Sequence, residues 1–447
     1  MSENLVKARS TIVFIVALLV ATMLALWIER QSAQSPDPGA ALRSAGPAFS
    51  ASSDMLSLPA TQPLGPREQE LARVAWKYFE NNTNATTGLV NSVQDYPAAT
   101  MWDTASYLLA LVSAQRLELI PLKEFDRRMG LALRSLGDMP LYDNALPNKS
   151  YDVRTMAMVD YAGKAAPQGI GWSAIDIARL MVPLNIVAWH YPQHTAQAMH
   201  VVGRWNTSRL AQNGELFGVA VAANGGAQVL QEGRLGYEQY AAKTLALMAL
   251  DVHAAQNYQA QLGFVNAYDI GVPYDRRDPK KFGAGNFVVS EPYMLDGLEF
   301  GWDSISREFA WRVYRAQEQR FRKTGKLTAV TEDHLDRAPY FAYNAVYSGG
   351  KLWNTVTEKG ESVPELRTMS VKAAFAWHAL YRSDYTARLV EAAAPLHDRD
   401  KGFYAGMYEE SGAPNKAITA NTNAVVLESL AFIATGKLLS FREGGGN

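Results

Sequence analysis

The chain has 447 residues, with 43 Lys and Arg against 44 Asp and Glu, a formal net charge of −1. That balance offers no basic surface for nucleic acid. The absence of cysteine excludes a disulfide framework, a thiolate metal site and a cysteine nucleophile, and 10 Trp, 21 Tyr and 16 Phe exclude disorder for most of the chain.

The first element is the apolar run from Ser10 to Ile28, behind Lys7 and Arg9. Such a run is close to the ~20 residues that span a bilayer core as a helix. It exceeds the ~7–15 apolar residues of a cleaved signal peptide. It therefore predicts an uncleaved signal anchor over residues 1–30. The basic flank places the N-terminus in the cytoplasm. The expectation is a bacterial inner-membrane protein with a single span and its main domain in the periplasm. Residues 31–65, rich in Ser, Ala, Pro and Gly, read as a flexible linker. Residues 66–440 read as the folded body and residues 441–447 as a disordered tail.

From Pro66 onward the pattern is helical and recurrent. Charged amphipathic stretches (Pro66–Asn81, Leu122–Leu136, Trp302–Thr324) alternate with nearly apolar ones (Thr104–Leu117, Ser173–Trp189, Glu238–Leu250). His194–Trp205, Ser370–Tyr381, Tyr385–Ala394 and Asn423–Thr435 complete the set. Apolar helices are buried and amphipathic ones cover them. The alternation predicts two concentric layers, an all-α (α/α)6 toroid of helical hairpins. Minor short strands such as Glu215–Val221 and Phe341–Tyr347 would lie in its long connections.

Carboxylates stand beside aromatics where the apolar helices begin. Trp102 and Asp103 precede the first, and Trp172 precedes the second, which carries Asp176. Tyr237, Glu238 and Tyr240 open the third. Glu291, Tyr293, Trp302 and Asp303 follow it, Tyr404 and Glu409 lie on a late loop, and Asn421 precedes the last. In a toroid these ends converge on one cleft. A cleft of aromatics and carboxylates suits glycoside hydrolysis, which needs one protonated and one ionised carboxyl group. Each residue also has an ordinary structural reading. Asp103 and Asp303 suit helix N-caps, Glu238 suits a helix dipole, and Glu409 suits a solvated loop. The seven histidines show no metal-ligand spacing, and no nucleotide or serine-hydrolase motif is present. No metal and no cofactor are expected.

The stretches WKYFENNTNATTGLVNSV, YPAATMWDTASYLLAL, LPNKSYDVRTMAMVDY, QGIGWSAIDIARL, SEPYMLDGLEFGW and PNKAITANTNAVVLESL resemble a bacterial domain-of-unknown-function family of envelope proteins. The order of motifs is also similar to the glucoamylase-like domain of cyclic β-1,2-glucan synthases and to (α/α)6 β-1,2-glucanases. The matching elements are TASYLLAL, Asp176 in GWSAIDIARL, Glu238 in GRLGYEQYAAKTLAL, Ser290-Glu291-Pro292-Tyr293 and GFYAGMYEE. Pro292 departs from that pattern, and so does the longer spacing from Tyr404 to Glu409. The resemblance implies a glycan-active toroid.

The expectation is a membrane-anchored periplasmic glycoside hydrolase acting on a β-glucan or exported polysaccharide. Glu238 would be the general acid, and Asp103, Asp176 or Glu291 the base or its support. Trp102, Trp172, Tyr237, Tyr240, Tyr293, Trp302, Asp303, Tyr404, Glu409 and Asn421 would hold the sugar. Two alternatives stand beside it. One is a non-catalytic glycan-binding partner of an envelope glycan synthesis or export machinery. The other is a purely structural envelope protein.

Overall fold

The computed structural model describes residues 49–440 except 223, 224 and 283. The expected anchor, the first part of the linker and the tail lie outside the described residues. Among those described, no helix is long and apolar enough to cross a membrane.

Among the described residues twelve helices form the ring and its cover, with a further short one, Pro279–Phe282, in a connection: α1 (Pro66–Asn82), α2 (Met101–Arg116), α3 (Leu122–Asp138), α4 (Ala174–His190), α5 (Pro192–Gly203), α6 (Tyr237–Leu247), α7 (His253–Gln256), α8 (Glu291–Phe300), α9 (Ser304–Thr324), α10 (Val371–Tyr381), α11 (Asp384–Ala393) and α12 (Ala420–Thr435). The even-numbered helices touch in order, α2 to α4, α6, α8, α10, α12 and back to α2, so they close a ring. Each odd-numbered helix packs outside a ring helix. Composition explains the sorting. Nearly every residue of α2 and α12 is buried, whereas α3 buries one face only.

The same device starts three ring helices. A hydroxyl accepts a hydrogen bond from the backbone N–H three residues on: Thr100 from Asp103 (3.0 Å), Ser173 from Asp176 (3.1 Å) and Thr419 from Thr422 (3.1 Å). These caps fix the first turns, where the carboxylates sit.

Two features differ from the sequence reading. First, α8 is a full ring helix in a segment for which the sequence reading named no helix. It has only ten residues, with Pro292 in its first turn and Gly297 inside, so its helical signal is weak. Gly297 is where the ring is tight, since a β-carbon there would lie 2.6 Å from Trp302. Second, the short strands expected in the connections are more numerous than the sequence reading named, forming six small antiparallel sheets among the described residues. The largest strand, Phe341–Ser348, is mostly buried, and its alternation is broken by consecutive buried positions.

Residues 49–65 correct the expectation of a flexible linker. Phe49 packs on Phe264 and Phe309. The Ser52 hydroxyl donates to Glu308 (2.7 Å), Trp311 donates to Asp54 (3.1 Å), and the Gln62 N–H donates to the Ile433 carbonyl (2.9 Å). This strap runs along α9 to the end of α12. Its Ser, Pro and Ala content hid these anchors.

Gly171 shows how closely the loops approach the ring. Its φ is +103°, and an added β-carbon would sit 1.9 Å from the Val219 carbonyl oxygen. Gly171→Ala is expected to cost more than about 2 kcal/mol, from strain and the backbone shift it forces. Urea unfolding would read this, and a cost below about 0.5 kcal/mol would contradict it.

Candidate active site at the helix N-termini

The first turns of all six ring helices gather at one end. Glu291, at the start of α8, is fully buried. Its carboxylate accepts from Trp102 Nε1 on α2 (3.2 Å) and Asn421 Nδ2 on α12 (2.7 Å), and it pairs with Lys372 on α10. Tyr237, from α6, meets the Trp102 ring edge-on at 5.7 Å. Beneath Trp102 lies Arg179, its guanidinium 4.6 Å from the ring centre. Arg179 in turn holds Glu299 (2.6 Å), Glu428 (3.4 Å) and Tyr240 (3.0 Å) in the fully buried middle of the ring. Burial pushes the Glu428 carboxyl well up, and the adjacent Glu299 adds to the effect.

Asp176, on the first turn of α4, is different. It is half-buried and sits in no ion pair among the described residues. Burial pushes its carboxyl up to about 7, with Glu232 and Asp103 adding to the rise and Lys149 opposing it. Glu232 reaches the same place from the strand Ala227–Gln231 and its following turn. It accepts from the Ser173 hydroxyl (3.1 Å) and the Ala174 N–H (2.6 Å), at the start of α4. Burial raises its carboxyl as well. Asp103 is buried behind its cap, with Thr100 Oγ1 donating to it at 2.7 Å. His334 and Asp333 close the other side beside Lys372, whose Nζ is 3.8 Å from Asp333.

The structure thus brings together Asp103, Asp176, Glu291, Trp102, Tyr237 and Asn421. Tyr240 lies deeper, as a strut of the ring core. Glu238 is at the same end but is bound up. Arg277 pairs with it and with Asp275, and Gln231 donates to it at 3.0 Å. Burial pushes its carboxyl up against the pull of Arg277. Tyr293 packs against Gly236, with its hydroxyl near Asp275.

The remaining candidates lie elsewhere. Trp172 is buried, donates to the Phe217 carbonyl (3.3 Å) and packs on Tyr142. Trp302 and Asp303 stand at the opposite end of the ring. There Trp302 stacks on Tyr381, and Asp303 caps α9 by accepting from the Ile305 N–H (2.8 Å). Tyr404 is half-buried on the strand Gly402–Tyr408. Glu409 is held by Arg320, Arg367 and Lys326. Against burial, Arg320 first among them keeps its carboxyl at about 2.

Four contributors escaped the sequence reading: Glu232, Lys372, Arg179 and His334. A single charge inside an apolar stretch, as at Lys372 in VKAAFAW and Arg179 in DIARLMV, was the available signal. Among the described residues no group of three or more His, Asp or Glu is placed to hold a metal ion. A cavity of about 400 Å³ lies away from this end, between the strap and helices α9 and α11. Of its acids, Glu318 is paired with Arg315 and Arg322 and Asp54 with Arg315, whereas the carboxylates of the ring end gather around Asp176.

Solved structures share this fold. An endo-β-1,2-glucanase from Chitinophaga pinensis, in complex with sophorotriose and glucose, superposes with a TM-score of 0.62 at 12% identity, over 83% of this chain and 93% of that one. A β-1,2-glucanase from Parabacteroides distasonis gives 0.59 at 11% identity, over 85% of this chain and 58% of that one. An endo-β-1,2-glucanase from Talaromyces funiculosus, in complex with sophorose, gives 0.55 at 10% identity, over 83% and 84%. At such identities the likeness establishes the architecture alone. No curated protein matches the chain in sequence. In sequence, residues 70–436 match a family described as protein of unknown function (DUF3131), and the chain belongs to that family.

Proposed function

We propose that this chain is a glycoside hydrolase acting on a β-glucan or exported polysaccharide, held at the bacterial inner membrane by residues 1–30 with its body in the periplasm. The observation that carries the reading is the place of Asp176, a half-buried carboxyl on the first turn of α4 beside Glu232 and Asp103, where burial pushes it up to about 7. A carboxyl protonated near neutral pH can donate to a leaving glycosidic oxygen. Asp103, facing it from α2, is the carboxylate to orient or activate water, with Glu291 as the fixed floor beneath Trp102. The glucanase-like architecture supports the substrate class. The anchor rests on the Ser10–Ile28 run.

The role first expected of Glu238 passes to Asp176, because Arg277 and Gln231 already occupy the Glu238 carboxylate. Glu238→Gln is expected to keep kcat within about threefold and to cost roughly 1–3 kcal/mol of stability, the scale for weakening a buried charged hydrogen bond. The test is product release from a panel of β-glucans, β-1,2-glucan included, by the full-length chain in detergent. Release by wild type and by Glu238→Gln supports the assignment. Loss in Glu238→Gln with an intact fold would return the acid role to Glu238. Glycan binding without release would instead favour a binding partner of an envelope export machinery.

A further inference from the structure

The strand Glu332–His334 leaves the site directly. The Glu291 N–H donates to Thr331 Oγ1 (3.2 Å), and the Thr331 hydroxyl donates to Glu332 (2.8 Å). Strand alternation then sorts the side chains. Asp333 is buried on the core side beside Lys372, whereas Glu332 and His334 are half-buried on the other face. The antiparallel register sets Glu332 opposite Tyr343 and His334 opposite Phe341, on the strand Phe341–Ser348. Directly opposed residues share a face, so these four side chains stand together, while Ala342 and Asn344 take the core side. Phe341 meets the His334 ring edge-on at 5.2 Å and the Tyr343 ring edge-on at 5.3 Å, and Phe287 stacks on Tyr343 at 4.0 Å. All four rings are half-buried. No described residue hydrogen-bonds the Tyr343 hydroxyl or the His334 ring nitrogens, and neither group is sealed from water. A strip of rings with open polar groups thus starts beside the first turn of α8 and runs out along one sheet face.

We propose that this strip is a platform for a glycan chain several sugars long running out from Glu291, so that the protein selects its ligand by chain length. The proposal rests on the glycan-active reading of the same site. Pyranose faces cover Phe341 and Phe287 and remove apolar area from water. The Tyr343 hydroxyl and the His334 ring supply hydrogen bonds for sugar hydroxyls. The rings belong to a hydrogen-bonded sheet, so little ordering entropy is lost when the chain arrives. Sugars held there lie away from the reacting bond, so their binding energy serves long chains and is lost to short ones. Cross-strand ring pairs also stabilise a sheet, but a role confined to that would be indifferent to the length of a glycan.

The experiment uses the full-length chain in detergent with a β-1,2-linked glucose disaccharide and the corresponding octamer. Binding is read in an Asp176→Asn background, which keeps the octamer whole, and product release from β-1,2-glucan in the wild-type background. The octamer should bind at least about tenfold more tightly than the disaccharide. Phe341→Ser is expected to weaken octamer binding about tenfold, the scale of one stacked ring, and to leave the disaccharide within about twofold. Phe341→Tyr keeps the ring and should bind both as the parent does. Phe287→Ser, on a different strand, should act in the same direction and serves where Phe341→Ser does not fold. Equal weakening at both lengths, unchanged octamer binding in both serine variants, or no octamer binding in the parent would each overturn the proposal. A lowered urea midpoint with unchanged octamer binding would overturn it too, by reducing the rings to a brace for the sheet. If the octamer binds through Phe341 but wild type releases no product, the hydrolase reading falls and the platform stands. If wild type releases product and Phe341→Ser and Phe287→Ser change neither binding nor release, the reverse holds.

Discussion

Asp176→Asn is expected to lower product release about 10²–10⁴-fold, the usual contribution of a general acid, and at the same time to make the fold more stable at alkaline pH. The two effects have one cause. The carboxyl rises from an ordinary 3.8 to about 7, through burial first and then Glu232. In the unfolded chain Asp176 ionises near pH 4, whereas in the folded chain it stays protonated until about pH 7. Between those values the unfolded state binds fewer protons, so stability falls as pH rises. Below about pH 4 both states are protonated and the penalty vanishes. Above about pH 7 it is complete, at roughly 2–4 kcal/mol after allowance for solvent screening of a half-buried group. Asparagine carries no charge and escapes it. The variant should therefore unfold at higher urea than wild type at pH 8 and at the same urea at pH 4. Activity should follow, with the wild-type acid limb lost above about pH 7. A variant that keeps more than about a tenth of wild-type turnover would remove Asp176 from the acid role. Equal urea midpoints at pH 8 would show that its carboxyl is not raised.

Much of the fold was legible in the chain, for a reason visible in particular helices. In α2 and α12 apolar residues occupy almost every position, which only a buried helix tolerates. The caps Thr100, Ser173 and Thr419 mark where those helices begin. The cluster of Trp102, Asp103, Asp176, Glu291 and Asn421 followed from the idea that such beginnings converge. Less legible was anything that depends on direction or partner. Trp302 and Asp303 carry the same aromatic–carboxylate signature, but they follow α8 and so lie at its far end. Glu409 looks like a free loop carboxylate until Arg320 is brought to it from 89 positions away. Glu238 and Asp176 read alike along the chain. Arg277, which neutralises one and leaves the other, arrives from a distant turn. A pattern of residue types marks where charged groups gather, and tertiary pairing decides which of them is free to act.

Arg179 carries the largest expected effect on stability. It is fully buried and is the cation between Glu299 and Glu428, with Tyr240 donating to Glu299 at 2.6 Å. Replacing it with methionine keeps the volume of the stem but strands two carboxyl groups in the middle of the ring. Breaking one side of a buried pair costs about 3–5 kcal/mol, a large fraction of a typical total of about 5–15 kcal/mol. Arg179→Met is therefore expected to lower the urea midpoint sharply, and to lower it further as pH rises and the stranded carboxyls are driven to ionise. The triple variant Arg179→Met, Glu299→Gln, Glu428→Gln removes the stranded charges with the cation and should recover more than half of the loss. A cost below about 1 kcal/mol for the single variant, or no recovery in the triple, would mean that the ring core is held by apolar packing and not by this ion group. The site should feel the change as well, because Arg179 lies under Trp102 and Trp102 holds Glu291. In the triple variant the fold returns but the support under Trp102 does not, so its product release should stay below wild type even where its stability matches.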